Sequence, residues 1–154
     1  MELSERNGKL CVGDASFEEI ADRFGTPFYL YDLDGVRERA AAVKRAFGDS
    51  IELLYAVKAN PNLDLLRGIA GSVDGLDIAS TGELRRALEA GFRPEVVSFA
   101  GPGKTRAELR ESLRHGVGII SVESVRELYD LKSLAEAEGI RATVTIRINP
   151  DRTV

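Results

Sequence analysis

Leu53-Leu54-Tyr55-Ala56-Val57-Lys58-Ala59-Asn60-Pro61-Asn62 is the stretch on which the fold turns. An apolar run with β-formers gives way to a lysine, then to Asn-Pro, which cannot continue a strand ladder. Asn62 is placed to cap a helix whose apolar positions are Leu65, Leu66 and Ile69. The stretch therefore reads as a buried strand, a short turn carrying Lys58, and a helix.

The same unit recurs downstream. Apolar strands are expected at 51–57, 75–79, 96–100, 117–121 and 142–148, the first four spaced by about 21 residues. Between them, Ser80 with Glu83 and Thr105 with Glu108 are spaced as capping boxes. Ser121 or Ser124 opens the last helix, which carries Val125, Leu128, Leu131 and Leu134. Gly91, Gly116 and Gly139 mark helix ends. Upstream, Ser16 and Glu19 form another box before Phe17, Ile20, Ala21 and Phe24, with Gly25 as the stop. A short strand is expected at 28–31. Asp34 is then expected to cap a helix with Val36, Ala40, Val43 and Phe47 on one face.

Nearly all-apolar strands alternating with amphipathic helices imply an α/β fold with a parallel sheet covered by helices. Two architectures compete, a doubly wound open sheet and a (β/α)8 barrel. In either, functional groups gather beyond the carboxyl ends of the strands. No G-x-G-x-x-G follows a strand, which lowers the dinucleotide-binding reading. About five strands cannot close a barrel of eight. On the barrel reading this is an incomplete barrel, a fragment or one half of a split protein, and residues 149–154 leave its fifth strand with no covering helix.

Composition narrows the function classes. The 154 residues are 44% hydrophobic and 30% charged, with a net charge of −4. There is no basic excess to neutralise phosphates, which argues against nucleic acid. The single cysteine, Cys11, rules out an internal disulfide; it is expected in a loop with no role. The polar start Met1-Glu2-Leu3-Ser4-Glu5-Arg6 lacks the apolar core of a signal peptide, and no apolar run approaches a membrane span. The default location is the cytoplasm.

Candidate chemistry lies just past the strands. A lysine above an apolar barrel, partly desolvated, has the nucleophilic amine that Schiff-base formation needs; the blander reading of Lys58 is a surface lysine opening a loop. Asp77, in a strand expected to be buried, needs a cationic partner; the alternative is a strand-end aspartate capping the next helix. Arg147 alternates with apolar neighbours and, facing a barrel interior, needs an anion or a flat π-face; the alternative is solvent. The loop Gly101-Pro102-Gly103-Lys104 is either a phosphate cradle or, more plainly, a turn. His115 reads as a helix C-terminal residue complementing the dipole.

Together these residues resemble a known family. Tyr55-Ala56-Val57-Lys58-Ala59-Asn60-Pro61-Asn62 resembles the cofactor-lysine motif of the fold type III pyridoxal-phosphate-dependent decarboxylases, which include diaminopimelate, ornithine and arginine decarboxylases. Leu76-Asp77-Ile78-Ala79-Ser80-Thr81-Gly82-Glu83-Leu84, Phe99-Ala100-Gly101-Pro102-Gly103-Lys104-Thr105 and residues 144–150 are similar to its second, third and fifth barrel strands. Thr26-Pro27-Phe28-Tyr29-Leu30-Tyr31-Asp32 resembles the lead-in strand of its second, β-rich domain.

The resemblance implies the N-terminal part of an alanine-racemase-like (β/α)8 TIM barrel. Residues 1–34 would be an N-terminal segment with the lead-in strand of the β domain, and 35–154 a partial cofactor-binding barrel. It implies pyridoxal 5'-phosphate held by Lys58 as a Schiff base, with Ala56 lining the pocket, Asp77 positioning the lysine and Arg147 organising the site around the ring. The expected reaction is decarboxylation of diaminopimelate or a related basic amino acid, as in lysine biosynthesis. The expected full-length protein is a cytoplasmic homodimer that binds neither nucleic acid nor membrane. The ring-stacking histidine, glycine-rich phosphate loop, pyridine-nitrogen partner and cross-dimer residues of the family come after this chain's last residue. The wording of the motifs resembles diaminopimelate-type enzymes, and the segment 99–105 resembles homologues associated with exosortase and exopolysaccharide systems. Two other readings stand beside this one: a racemase on the same fold, and a catalytically silent half-barrel that pairs with a partner chain.

Overall fold

A computed structural model describes residues 3–150, with the side chain of Asp49 excepted. The first two residues of the polar start and residues 151–154, part of the strand exit discussed above, lie outside this description. The chain divides into two compact units, with the division between Ile51 and Glu52.

The first unit opens with an antiparallel sheet of β1 (Leu3–Arg6), β2 (Lys9–Val12) and β3 (Ala15–Ser16). Asn7 and Gly8 join β1 to β2 with φ of 53° and 75°. That pair of left-handed residues is what a two-residue hairpin of matching twist requires. Cys11 is thus a buried strand residue paired with Ser16, not the loop residue expected. Helix α1 (Phe17–Phe24) follows, with the expected reciprocal box: Glu19 N–H donates to Ser16 Oγ at 3.2 Å, and Ser16 N–H to the Glu19 carboxylate at 2.8 Å. The Ser16 N–H, and next to it the Ser16 hydroxyl donating to the same carboxylate at 2.9 Å, hold the Glu19 carboxyl below the usual range.

Two further expectations fail in this unit. Residues 28–31 form no strand, because they find no ladder partner among the described residues; Phe28 is instead stacked on Phe17, ring centroids 6.4 Å apart. The cap of α2 (Leu33–Phe47) is Asp32, which accepts from Gly35 N–H at 3.1 Å. Asp34 lies inside the first turn and pairs with Arg37 at 2.8 Å. Either aspartate favours the positive helix end, so only geometry chooses between them.

The second unit is the expected α/β layer. Its parallel strands are β4 (Leu54–Ala56), β5 (Gly75–Ile78), β6 (Val97–Phe99), β7 (Ile119–Val122) and β8 (Val144–Ile146), in that spatial order. Helices α3 (Leu63–Ile69), α4 (Thr81–Glu89), α5 (Arg106–His115) and α6 (Val125–Glu138) fill the connections, each touching the next. Strand order equals sequence order with no reversal. A doubly wound sheet must reverse at a switch point, whereas a barrel adds each strand beside the last. The order therefore selects five strands of a barrel over the open-sheet alternative.

Register fixes the faces. Ala56, Asp77, Ser98 and Ile119 are aligned, each 21 residues after the last, and share one face. The residues between them, Leu76, Ile78, Val97, Phe99, Ile120 and Val122, are buried on the opposite face. Leu66, Ile69, Leu84, Ala87, Leu109, Leu113, Leu131 and Leu134 of the four helices are buried too, completing the core. Each such large side chain contributes about 1.5–3 kcal/mol of burial. Two glycines permit close strand approach: a Cβ on Gly75 would collide with the Val96 carbonyl oxygen, and one on Gly118 with that of Glu95.

The helix signals hold, with one adjustment. Asn62, Ser80, Thr105 and Ser124 are the caps, and Gly116 and Gly139 are left-handed stops. Thr105 and Glu108 form a full box, and the N–H and hydroxyl of Thr105 draw the Glu108 carboxyl below the usual range. At Ser80 the box is not reciprocal, because the Glu83 carboxylate accepts from Ala79 N–H at 2.7 Å instead.

Candidate functional site

Lys58 stands where the opening stretch put it, in a single tight turn directly after β4. The turn is wired by its own residues. Val57 is fully buried, and its carbonyl accepts from Asn60 N–H at 3.0 Å. Tyr55 Oη donates to the Asn60 carbonyl at 3.3 Å. Asn60 Oδ1 accepts from Asn62 N–H at 3.0 Å, and Asn62 Oδ1 accepts from Asp64 and Leu65 N–H at 2.9 and 3.1 Å. Every polar residue of the motif except Lys58 is thus spent on local geometry. The Lys58 side chain is exposed and makes no hydrogen bond or ion pair among the described residues. The desolvation expected of it is not supplied by the described residues.

Asp77 is centred in β5, on the face shared with Ala56 and Ser98. It is half-buried, not buried as expected. Its carboxylate has no hydrogen-bonding or ionic partner among the described residues. Ala56, beside it, is half-buried and contributes only a methyl group to that face.

Arg147 follows β8 by one residue, and its N–H continues the ladder to the Val122 carbonyl at 3.0 Å. The register places it opposite Glu123, and Nη1 lies 3.4 and 3.3 Å from the two Glu123 carboxylate oxygens. Arg147 is exposed, as the solvent alternative had it, and the anion it meets is Glu123, a residue not among the sequence candidates. The signal was present: Glu123 sits two positions beyond Ser121, just past a strand end, where Lys58 and Arg147 also lie.

The loop 101–104 is a turn, and its lysine faces inward. Lys104 Nζ donates to the carbonyls of Gly101 (2.8 Å) and Ser121 (2.6 Å) and to Glu127 Oε1 (2.8 Å), and it lies 5.4 Å from the centre of the Phe99 ring. The Lys104 and Glu127 side chains are only 2% and 6% exposed. All three ammonium protons are committed, so Lys104 is unavailable to a phosphate. His115 is exposed in the last turn of α5, as expected. No cluster of three or more potential metal-ligating side chains occurs, and no helix is long and apolar enough to cross a membrane, among the described residues.

The sheet thus carries an uncommitted amine just past β4, a guanidinium held by a carboxylate just past β8 and, within β5, an uncommitted carboxylate on the face shared with Ala56. Comparison with known proteins gives this arrangement a context. The chain is 42% identical over 154 residues to a diaminopimelate decarboxylase of Zymomonas mobilis, covering 97% of this chain and 36% of that one. A crystal structure of an Aquifex aeolicus protein superposes with a TM-score of 0.90 at 40% identity, covering 97% of this chain and 37% of the other. Diaminopimelate decarboxylase from Helicobacter pylori, solved with L-lysine, gives a TM-score of 0.79 at 38% identity, covering 88% of this chain and 35% of that one. The chain therefore spans about a third of the length of the relatives it matches. These relatives lend no support to the narrower exosortase- and exopolysaccharide-associated subgroup. The model of the pyridoxal-dependent decarboxylase family's pyridoxal binding domain matches residues 33–154, and the chain belongs to that family.

Proposed function

We propose that this chain is the front third of a pyridoxal-phosphate-dependent amino-acid decarboxylase, acting on diaminopimelate or a related basic amino acid, with Lys58 as the cofactor's attachment point. The observation that carries the reading is the Lys58 amine, uncommitted at the end of β4, with the uncommitted Asp77 carboxylate on the neighbouring strand. The residues present fit the cofactor: an aldehyde requires a primary amine with no competing partner, and a flat ring requires small neighbours such as Ala56. When bound, pyridoxal phosphate supplies the electron sink that makes loss of CO2 feasible.

The chain's own residues take these roles in the proposal. Lys58 offers its amine to the cofactor aldehyde and to proton transfer at the substrate carbon. Asp77, a strand away, orients the lysine and balances its charge. Arg147, fixed by Glu123, organises the far side of the site. Residues 1–34 are the lead-in to a second, β-rich domain and 35–154 the partial barrel. In this reading the full-length protein is a cytoplasmic homodimer, and the remaining length of the relatives supplies the rest of the pocket. Support for a diaminopimelate substrate comes from the sequence likeness above. It also comes from L-lysine, the compound left when diaminopimelate loses one carboxyl group, bound in the solved H. pylori enzyme.

The test is to incubate the full-length protein with pyridoxal phosphate, reduce with borohydride and map the labelled peptide. Label on Lys58 is expected, and CO2 release is expected from diaminopimelate ahead of lysine, ornithine or arginine. Label on another lysine overturns the assignment. A second reading, a silent half-barrel completed by a partner chain, draws on the open edge of β8, where Ile146 and Ile148 are exposed. A stop codon after Val154 together with a separate complementary chain favours it; a continuing reading frame removes it. The racemase alternative gains nothing from the family match.

A further inference from the structure

We infer that Glu123 is a positioning residue for Arg147, setting the guanidinium at the strand-end rim; this rests on the reading of Arg147 as a cofactor-site residue. Glu123 is itself held before it meets arginine. Its Oε1 accepts from Gly101 N–H at 2.7 Å, and its side chain is only 11% exposed, against 54% for Arg147. Gly101 adopts a φ of 114°, which L side chains rarely reach, so the direction of that N–H depends on glycine. The Gly101 carbonyl in turn accepts from the buried Lys104 ammonium at 2.8 Å. The fixed elements thus run from Lys104 through the Gly101 backbone to the Glu123 carboxylate, and the exposed arginine is the end that is set. Without this anchor, a guanidinium on a flexible stem at an exposed strand end samples many rotamers.

The ion pair alone could be mere cross-linking of two strand ends, so the test separates positioning from stability. In the full-length protein, apo-protein is titrated with pyridoxal phosphate by absorbance for Kd, and the apo melting temperature is measured alongside. The variants are Glu123→Gln, Glu123→Asp, Arg147→Ala and the double Glu123→Gln/Arg147→Ala. Glutamine keeps an acceptor for Gly101 N–H and removes only the charge. Glu123→Gln is expected to raise Kd by about two- to fivefold, the range for one partly exposed ion pair, with the apo melting temperature unchanged. Glu123→Asp is expected to recover part of the loss, and the double variant to bind no worse than Arg147→Ala. An unchanged Kd for Glu123→Gln, or losses that multiply in the double variant, overturns the inference while leaving Arg147 in place. An unchanged Kd for Arg147→Ala overturns the cofactor role of Arg147 and the inference with it.

Discussion

Replacing Lys104 and Glu127 singly and together gives the sharpest physical test of this architecture. The two side chains are 2% and 6% exposed and 2.8 Å apart, and the ammonium also serves the Gly101 and Ser121 carbonyls. Lys104→Met keeps a stem of similar length over Phe99 but leaves the Glu127 carboxylate buried without its cation. Breaking a buried pair in this way costs about 3–5 kcal/mol, because the charge left behind has lost its compensation. Glu127→Leu is expected to cost a similar amount, stranding the ammonium with two neutral acceptors. In Lys104→Met/Glu127→Leu no buried charge remains. The residual cost is that of two carbonyls losing a donor, about 1 kcal/mol each. The double variant should therefore be more stable than either single one, with a coupling above about 2 kcal/mol. Urea unfolding of the chain, followed by far-UV circular dichroism, measures this, with a constant m-value as the check that the unfolded reference has not moved. If the double variant costs the sum of the singles, the pair is not the coupled buried unit described here. If each single costs under about 1 kcal/mol, water reaches the site and the burial argument fails.

Two further outcomes follow from the structure. Gly118→Ala should destabilise by about 1–3 kcal/mol in the same unfolding assay, because its new methyl group meets the Glu95 carbonyl and one strand must move; a neutral result would show the strand entry to be loose. The Glu108 carboxyl is held below its usual value of 4.5, chiefly by Thr105 N–H, so its folded value lies under its unfolded one. That contribution is present above the unfolded value and is lost as pH falls through the folded one. Glu108→Gln should flatten the fall in stability below about pH 4.5, and an unchanged acid slope would refute the cap's part in it.

The helix ends were the most legible part of this sequence because their signals are local. Ser16, Asn62, Thr105 and Gly116 each act within a few residues of their own position. The sheet's rhythm was legible for a related reason, since one strand and one helix make each 21-residue step. What escaped required knowledge of a distant partner. Residues 28–31 have the composition of a strand, but a strand exists only where another pairs with it. Asp34 and Asp32 differ as caps only by where the backbone enters the helix. Glu127 has the position of a capping-box glutamate, and yet its carboxylate goes to Lys104, 23 residues earlier.

The same distinction separates the two halves of the candidate site. Lys58 and Asp77 could be named from sequence by their places at strand ends, and Ala56 by the resemblance of the short motif that contains it. Ala56 and Asp77 are register partners, and Lys58 is the first exposed position past the same strand. Arg147 could be named but not explained, because its environment is made by Glu123 and, behind that, by the loop at Gly101. The two halves are built differently. The lysine turn is wired locally, by Tyr55, Val57, Asn60 and Asn62, and it leans on a single neighbouring strand, β5, whose Leu76 and Asp77 are register partners of Tyr55 and Ala56. The arginine end depends on three consecutive units, β6 with its loop, β7 and β8, being in register at once. In the 154-residue chain taken by itself, local opening of β8 would release Arg147 while leaving Lys58, four strands away, in place. Hydrogen exchange should find the Arg147 amide, bonded to Val122, exchanging faster than the Ala100 amide, bonded to Ile78 inside the sheet. Equal protection of the two amides would show that the edge opens only with the whole unit, and the site would then have to be treated as one cooperative piece.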